Sequence, residues 1–194
     1  MEDKTLNSQE SIELITRMIA QTRQKFERGG GTIFLVMGYI SFTVSLAVYF
    51  LDEHFALSWA PALWWLIPLI GWPTIYFIER KRPKSIRTYV DKMISYLWIV
   101  SGAVAFIFPM VGIFNWLVCM MIIPVESMIL SMATILSGAF ISFRPLVIGG
   151  IVALALSFLM FFLEGFELIF AAMFLVAMII PGHILNYRAQ CSKN

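Results

Sequence analysis

The 194-residue chain is 60% hydrophobic and 15% aromatic, whereas only 13% of its residues are charged. Its mean hydropathy is +0.83 and its formal net charge is +2. Soluble domains carry about 25% charged residues, so the composition excludes a water-soluble domain and predicts a protein of the lipid bilayer. Cys119 and Cys191 are the two cysteines, and two residues cannot build a disulfide framework.

The first predicted element is an amphipathic helix over Ser8–Arg28. Ser8 or Ser11 can cap it, and its apolar residues recur at helical spacing on one stripe, formed by Ile12, Ile15, Ile19 and Phe26. Three glycines at 29–31 break the helix before the first apolar run. Two interpretations stay open. The stripe rests on lipid headgroups or on the bundle, or it docks a cytoplasmic partner or a second copy of the chain.

Six apolar runs follow, each near the 20 residues that a helix needs to cross about 30 Å of hydrocarbon. Strands would alternate in polarity, and these runs do not. The predicted fold is therefore an all-α polytopic bundle of six transmembrane helices, and its predicted spans are Ile33–Leu51, Trp59–Ile78, Met93–Ile113, Trp116–Leu136, Pro145–Leu163 and Leu168–Leu185.

The predicted organisation has three parts. Residues 1–31 form the cytoplasmic or interfacial helix with its glycine hinge, residues 32–187 the transmembrane domain, and residues 188–194 a cytoplasmic tail. The N-terminal stretch is polar and acidic and lacks the pattern of a cleaved signal peptide, so the first span is expected to direct insertion.

Basic residues predict the orientation. All 14 Lys and Arg residues fall before the first span, between the second and third, at the start of the fifth or after the sixth. The opposite loops carry only acids, Asp52, Glu53, Glu164 and Glu167, together with His54. The positive-inside rule then predicts cytoplasmic termini. The loop Glu79–Asp91 is the most basic segment, and topology or attraction to anionic lipid explains its charge.

Glu126 is the one ionisable residue well inside a predicted span. Counting from Trp116 at 1.5 Å per residue predicts a depth of about 15 Å, near the bilayer centre. A carboxyl group there is expected to face the bundle interior. It is hydrogen-bonded to a hydroxyl such as Ser41, Ser45 or Ser101, or it lines a water-filled cavity. Its predicted polar surroundings on the same helix are Ser127, Ser131 and Thr134. The structural interpretation, close helix packing, competes with an ion, proton or solute site.

Prolines interrupt the second, fourth and sixth spans, the last of them at Pro181. Broken helices hold ions or anionic groups in transporters, although proline is also ordinary in membrane helices.

The chain carries no constellation typical of an enzyme. It lacks the zinc, nucleophile-elbow and phosphate-loop motifs, and no second intramembrane acid accompanies Glu126. The two histidines, His54 and His183, are predicted on opposite sides of the membrane, so no metal site or cofactor is expected. The basic loop is too short and too poor in aromatic residues to form a nucleic-acid platform.

Three segments resemble a family of small uncharacterised bacterial inner-membrane proteins. They are Val90–Trp98, Phe143–Gly150 and Ile180–His183. The resemblance implies a bacterial inner membrane and six spans, and it implies no activity. The layout of an amphipathic helix, six spans and a cytoplasmic loop after span two is also similar to export-type ABC permease subunits, from which the chain departs because it lacks their long connection between the last two spans.

Two functions are carried forward. The first is a non-enzymatic membrane protein that acts through protein partners or self-association, with the lipid bilayer as its surroundings. The second is a small permease or channel-like subunit that uses the intramembrane acid Glu126.

Overall fold

The structure is a computed structural model that describes residues 8–25, 31–57, 59–81, 89–112, 116–163 and 165–191. Those residues form helices joined by short turns, and they contain no strand. A 3₁₀ helix at Ala60–Trp65 leads directly into α3. The helices are α1 (Ser8–Lys25), α2 (Gly31–Phe55), α3 (Leu66–Arg80), α4 (Tyr89–Gly112), α5 (Trp116–Phe140), α6 (Arg144–Leu159), α7 (Phe166–Phe174) and α8 (Ile180–Cys191).

Five apolar segments are long enough to cross a membrane, which confirms the all-helical, multi-pass prediction at that level. A π-helical turn at Leu175–Ile179 joins α7 to α8 and makes Phe166–Arg188 one such segment. α6 is shorter than the predicted span because its helix ends at Leu159, with a turn at Met160–Phe162 in place of further helix. Its 16 residues rise only about 24 Å.

The turn between α5 and α6 forces the two helices to run antiparallel. Ser142 adopts a left-handed φ of 53°, and its N–H donates to the Ala139 carbonyl at 3.1 Å. The Phe143 N–H donates to the Gly138 carbonyl at 2.8 Å. This pair of bonds is a Schellman motif, which closes a helix C-terminus. Pro145 then stands in the first turn of α6, where its missing N–H does no harm.

Glycines set the spacing between α5 and α6. A Cβ on Gly138 would lie 2.8 Å from the Val147 nitrogen, and one on Gly150 would lie 2.7 Å from Ile135 Cγ1. Small residues let membrane helices approach this closely. Further along the same seam, Ser127 contacts Met160, so the pairing runs in register over the whole of α6.

Pro181 ends the π turn and leaves a carbonyl on which α6 packs. Proline has no N–H to donate, so the π-type hydrogen bond that Val176 would receive from residue 181 cannot form. Gly149 of α6 packs directly on the exposed Val176 carbonyl, because a Cβ there would stand 2.5 Å from that oxygen. Backbone Cα–H groups at such contacts act as weak donors. The segment Phe166–Arg188 and α6 are therefore in direct backbone contact at this point.

α2 packs along the other side of α8 through a second set of glycines. A Cβ on Gly31 would meet Asn186 Oδ1 at 2.6 Å, one on Gly38 would meet Ile179 at 2.8 Å, and one on Gly182 would meet Leu35 at 2.9 Å. The buried core therefore follows α2, α5, α6, α7 and α8, and it includes Phe143, Leu146, Met173 and Leu185.

α3 and α4 lie at the periphery. Aromatic side chains link them, with the Trp65 and Phe106 rings 5.8 Å apart and the Trp72 and Phe106 rings 5.9 Å apart. Trp98 of α4 reaches inward, where its ring meets Phe34 of α2 edge to face at 5.9 Å and its Nε1–H donates to Ser137 of α5 at 3.1 Å.

Candidate functional site

The structure separates the described charges into two ends of the bundle. Exposed basic side chains stand where α3 ends and where α4, α6 and α8 begin or end, namely Arg80, Lys81, Lys92, Arg144 and Arg188. We call this the basic end. Asp52 and Glu53 stand at the far end of α2 and Glu167 at the start of α7, and we call this the acidic end. Glu164 lies outside the described residues.

The predicted hydroxyl groups Ser127, Ser131 and Thr134 form a buried stripe on α5, each at most 1% exposed. Each also bonds to its own helix. Ser127 donates to Pro124 O, Ser131 to Ser127 O and Thr134 to Leu130 O, at 2.7 to 2.8 Å. Their hydrogen-bonding capacity is largely satisfied locally, as is usual for Ser and Thr inside membrane helices.

Across the stripe stand Ser157 of α6 and Met173 of α7. The Ser131 and Ser157 hydroxyl oxygens are 3.4 Å apart, and both lie 3.7 Å from Met173 Sδ. We call Ser127, Ser131, Thr134, Ser157 and Met173 the hydroxyl seam. Ser157 is a member that the sequence interpretation missed, although it is the single hydroxyl in an otherwise apolar helix. The seam holds three helices together.

Glu126 does not join the hydroxyl seam. Adjacent residues on a helix point about 100° apart, so Glu126 lies on the flank of α5 that carries Ser137, the residue bonded to Trp98 of α4. Glu126 Oε1 is buried and has no hydrogen-bond partner among the described residues. The hydroxyls expected to pair with it do not: Ser45 donates to Ser41 O at 2.7 Å, and Ser41 Oγ is itself unpaired within the described chain.

The register of α5 against α6 also places Glu126 away from the middle of the bundle. Its neighbour Ser127 contacts Met160, which follows the last residue of α6. Glu126 is therefore level with the end of α6 on the acidic side, and the first ten residues of α5 extend beyond that level. The depth of about 15 Å in the bilayer, counted along α5, stays a prediction.

A pocket of about 450 Å³ opens at the acidic end. The pocket forms because α2 and α5 extend past the end of α6. The α6–α7 connection therefore lies nearer to the middle of the bundle than the ends of α2 and α5 do. The pocket is lined by Tyr49, Asp52, Glu53, Met121, Pro124, Met160, Phe161, Leu163, Gly165, Phe166 and Glu167. Its three carboxylates are those of the acidic end. Pro124 is two residues from Glu126, which does not itself line the pocket.

Tyr39 and His183 form a polar pair on the outside of the bundle. The Tyr39 hydroxyl and His183 Nε2 are 2.9 Å apart, and both side chains are exposed. Sequence reasoning identified His183 only as an interfacial residue, since the contact joins helices 144 positions apart. The pair satisfies two polar groups that would otherwise face lipid.

The predicted interface on α1 is described in part. Ile12 is 64% exposed and Ile15 is 57% exposed, whereas Ile19 is partly buried. Phe26 lies outside the described residues. α1 has its contacts with α4, so the helix leaves part of its apolar stripe uncovered.

Among the described residues, no group of three or more His, Cys, Asp and Glu side chains has the arrangement of a metal site. Comparison of the chain with models of known protein families, with curated proteins and with solved structures gave no match.

Proposed function

We propose that the chain is an integral membrane protein that crosses the bilayer six times. Five segments have the length and apolarity for a crossing. The sixth is α6. It lies between α5 and the α7–α8 segment and runs antiparallel to both. If both neighbours cross the bilayer, the chain must return through α6. A helix of about 24 Å can do so where the bilayer thins or where longer neighbours shield its ends.

The proposed orientation has the basic end in the cytoplasm, with both termini there, and the proposed location is a bacterial inner membrane. Exposed basic residues at one end and acids at the other support it through the positive-inside rule. An engineered thiol at the exposed Lys81 should react with a membrane-impermeant maleimide only after cells are broken. Labelling in intact cells would reverse the orientation.

The molecular role that we propose is non-enzymatic and works through self-association or a protein partner. The observation that carries it is the bare face of α3 and α4. In the most apolar 18-residue stretch of Ala60–Arg80, only 6% is buried, and in that of Tyr89–Val111 only 11% is buried. The corresponding stretch of Phe166–Arg188 is 56% buried. Lipid can cover such a face. Membrane helices, however, associate where small residues let the backbones of two helices come close together.

Gly102 in the middle of α4 supplies such a place. Apart from its chain neighbours and the backbone of α4 itself, none of the described residues has an atom within 4 Å of the position that a Cβ on Gly102 would occupy. Every glycine between α5, α6 and α8 discussed above has a helix packed on it, and Gly102 does not. We propose that a helix of a second copy, or of a partner, packs against α4 here.

Cysteine cross-linking tests this face directly. In a background with Cys119 and Cys191 replaced by Ser, Ile99→Cys on α4 should form disulfide-linked dimers in native membranes. Ile148→Cys on α6 is a matched control, because the two residues are 64% and 61% exposed and lie at similar heights. Equal cross-linking at both positions, or none at position 99 alongside a monomeric protein, would contradict the proposal.

A second candidate function is a small permease, which the pocket at the acidic end favours. Its carboxylates would attract cations, and Glu126 is two residues from Pro124 of its wall, on another face of α5. In proteoliposomes with an imposed cation or proton gradient, Glu126→Gln should abolish uptake, while Glu79→Gln at the exposed basic end should not. Unchanged uptake in Glu126→Gln would remove this candidate.

A further inference from the structure

The uncovered part of α1 is small and well defined. Ser11, Met18 and Ile19 on one edge of the helix are partly buried, whereas Ile12 and Ile15 beside them are 64% and 57% exposed. On the other sides of the helix the exposed residues include Glu13 and Arg17. Leu14 is also 43% exposed. α1 therefore presents three apolar side chains, Ile12, Leu14 and Ile15, next to a charged surface, which is the profile of a helix at a lipid–water boundary.

The chain holds α1 close to the basic end. Only five residues separate Lys25 from Gly31, where α2 begins. A chain of that length spans at most about 20 Å. Gly31 packs beside Asn186 of α8, at the same end as Arg188. The C-terminal end of α1 thus stays near the level where the bundle meets the headgroups.

The charge of the basic end determines which phospholipid headgroups it attracts. The exposed residues of the basic end are Arg80, Lys81, Lys92, Arg144 and Arg188, and Arg17 adds a further exposed cation on α1. A surface of this sign attracts anionic headgroups. Arg188 also stands 5.4 Å from the centroid of the Phe143 ring, which fixes one of these cations near the point where α6 begins.

A second copy of the chain fits the exposed stripe less well. A helix pair needs an apolar seam that repeats over several turns, and Ile19, the next residue of the stripe, is already partly buried. Two isoleucines spaced three residues apart cover about one turn.

We propose that Ile12 and Ile15 of α1 lie in the interfacial layer of the bilayer, held there by anionic phospholipid headgroups at the basic end. This interface is independent of the α3–α4 face, and it holds whether or not that face binds a partner.

Spin labels on the full-length protein test the proposal. In the background with Cys119→Ser and Cys191→Ser, single cysteines at positions 12 and 15 are labelled and compared with matched labels at positions 13 and 17. The protein is reconstituted in nanodiscs of phosphatidylethanolamine and phosphatidylglycerol, or of phosphatidylcholine alone. Oxygen, which concentrates in lipid, and a water-soluble nickel chelate are the two relaxing agents.

In the anionic nanodiscs, labels at 12 and 15 should show a several-fold higher ratio of oxygen to nickel accessibility than labels at 13 and 17. That ratio should fall towards the control value in phosphatidylcholine. Equal ratios at all four positions would overturn the proposal. Shielding of 12 and 15 from both agents, with broadening between labels, would assign the stripe to a second copy instead. Equal ratios in both lipid mixtures would overturn the role of anionic lipid.

Discussion

The α5–α8 region and the α3–α4 region are both apolar in composition but differ in how much of each is buried. In the first, the apolar window of Phe166–Arg188 is 56% buried, and glycines and hydroxyls bring the helices into contact. In the second, the most apolar stretches of the two segments are only 6% and 11% buried, although α4 packs on α5 through Trp98 and Gly71 of α3 packs on Met37 of α2. Since lipid is as apolar as leucine, hydrophobicity does not separate the two regions. Small residues do.

The largest effect is expected from Gly149→Ala. Its Cβ would stand 2.5 Å from the Val176 carbonyl oxygen, and a backbone atom cannot rotate away, so α6 must move. Overpacking of this kind costs about 1–3 kcal/mol, and we expect the upper end. The free energy of unfolding in mixed micelles measures it. Gly102→Ala on α4 is the matched control and should leave stability unchanged or raise it by up to about 1 kcal/mol. Equal losses for both variants would erase the contrast between the regions.

The next effect concerns the hydroxyl seam. Ser131 is 1% exposed and faces Ser157, so Ser131→Leu places a large side chain where three helices meet. We expect a loss of about 2 kcal/mol. Met132→Leu, one residue along and 55% exposed, should change stability little. The two variants are compared by unfolding under identical detergent conditions. A Ser131→Leu protein as stable as the parent would show that the seam is loosely packed.

A smaller effect is expected at Trp98, which joins α4 to α2 and α5. Trp98→Phe removes the hydrogen bond from Nε1 to the Ser137 hydroxyl and should cost about 1 kcal/mol. Trp72→Phe, at a ring that is 54% exposed on α3, serves as control. Thermal unfolding followed by tryptophan fluorescence distinguishes them. If Trp72→Phe is the more damaging variant, the periphery contributes more to stability than its burial indicates.

The smallest effect is expected from Ser157→Ala. The Ser157 hydroxyl donates to Ala153 O of its own helix at 2.8 Å, and its distance to Ser131 Oγ is long at 3.4 Å. Hydrogen bonds between membrane helices average about 0.6 kcal/mol, so the loss should not exceed that value. A loss well above about 1.5 kcal/mol in the same unfolding assay would mean that the seam depends on hydroxyl chemistry rather than on size.

Much of the helical layout could be predicted because a membrane helix is recognised from a local run of apolar residues. The predicted span Ile33–Leu51 lies inside α2, and Met93–Ile113 overlaps α4 almost entirely. The length of α6 could not be predicted in this way. Phe161, Phe162 and Leu163 continue the apolar run, but they belong to the turn and its exit rather than to the helix.

The candidate site was harder to predict than the helices. Ser127 and Glu126 are neighbours in sequence, yet they lie on different faces of α5, and only Ser127 has a hydrogen-bond partner among the described residues. The pocket at the acidic end draws on α2, α5 and the α6–α7 connection. It depends on their relative lengths, which no single segment encodes.

The amino-acid sequence by itself determined that the chain is helical and apolar and that its cations and outer acids alternate between successive connections, since each property follows from short stretches of chain. The tertiary structure alone decided which faces meet. Close contacts between glycines and opposing backbones set the register of α6 against α5 and against the π turn. That register places Glu126 level with the end of α6 at the acidic end, because distant residues come together only when the helices pack.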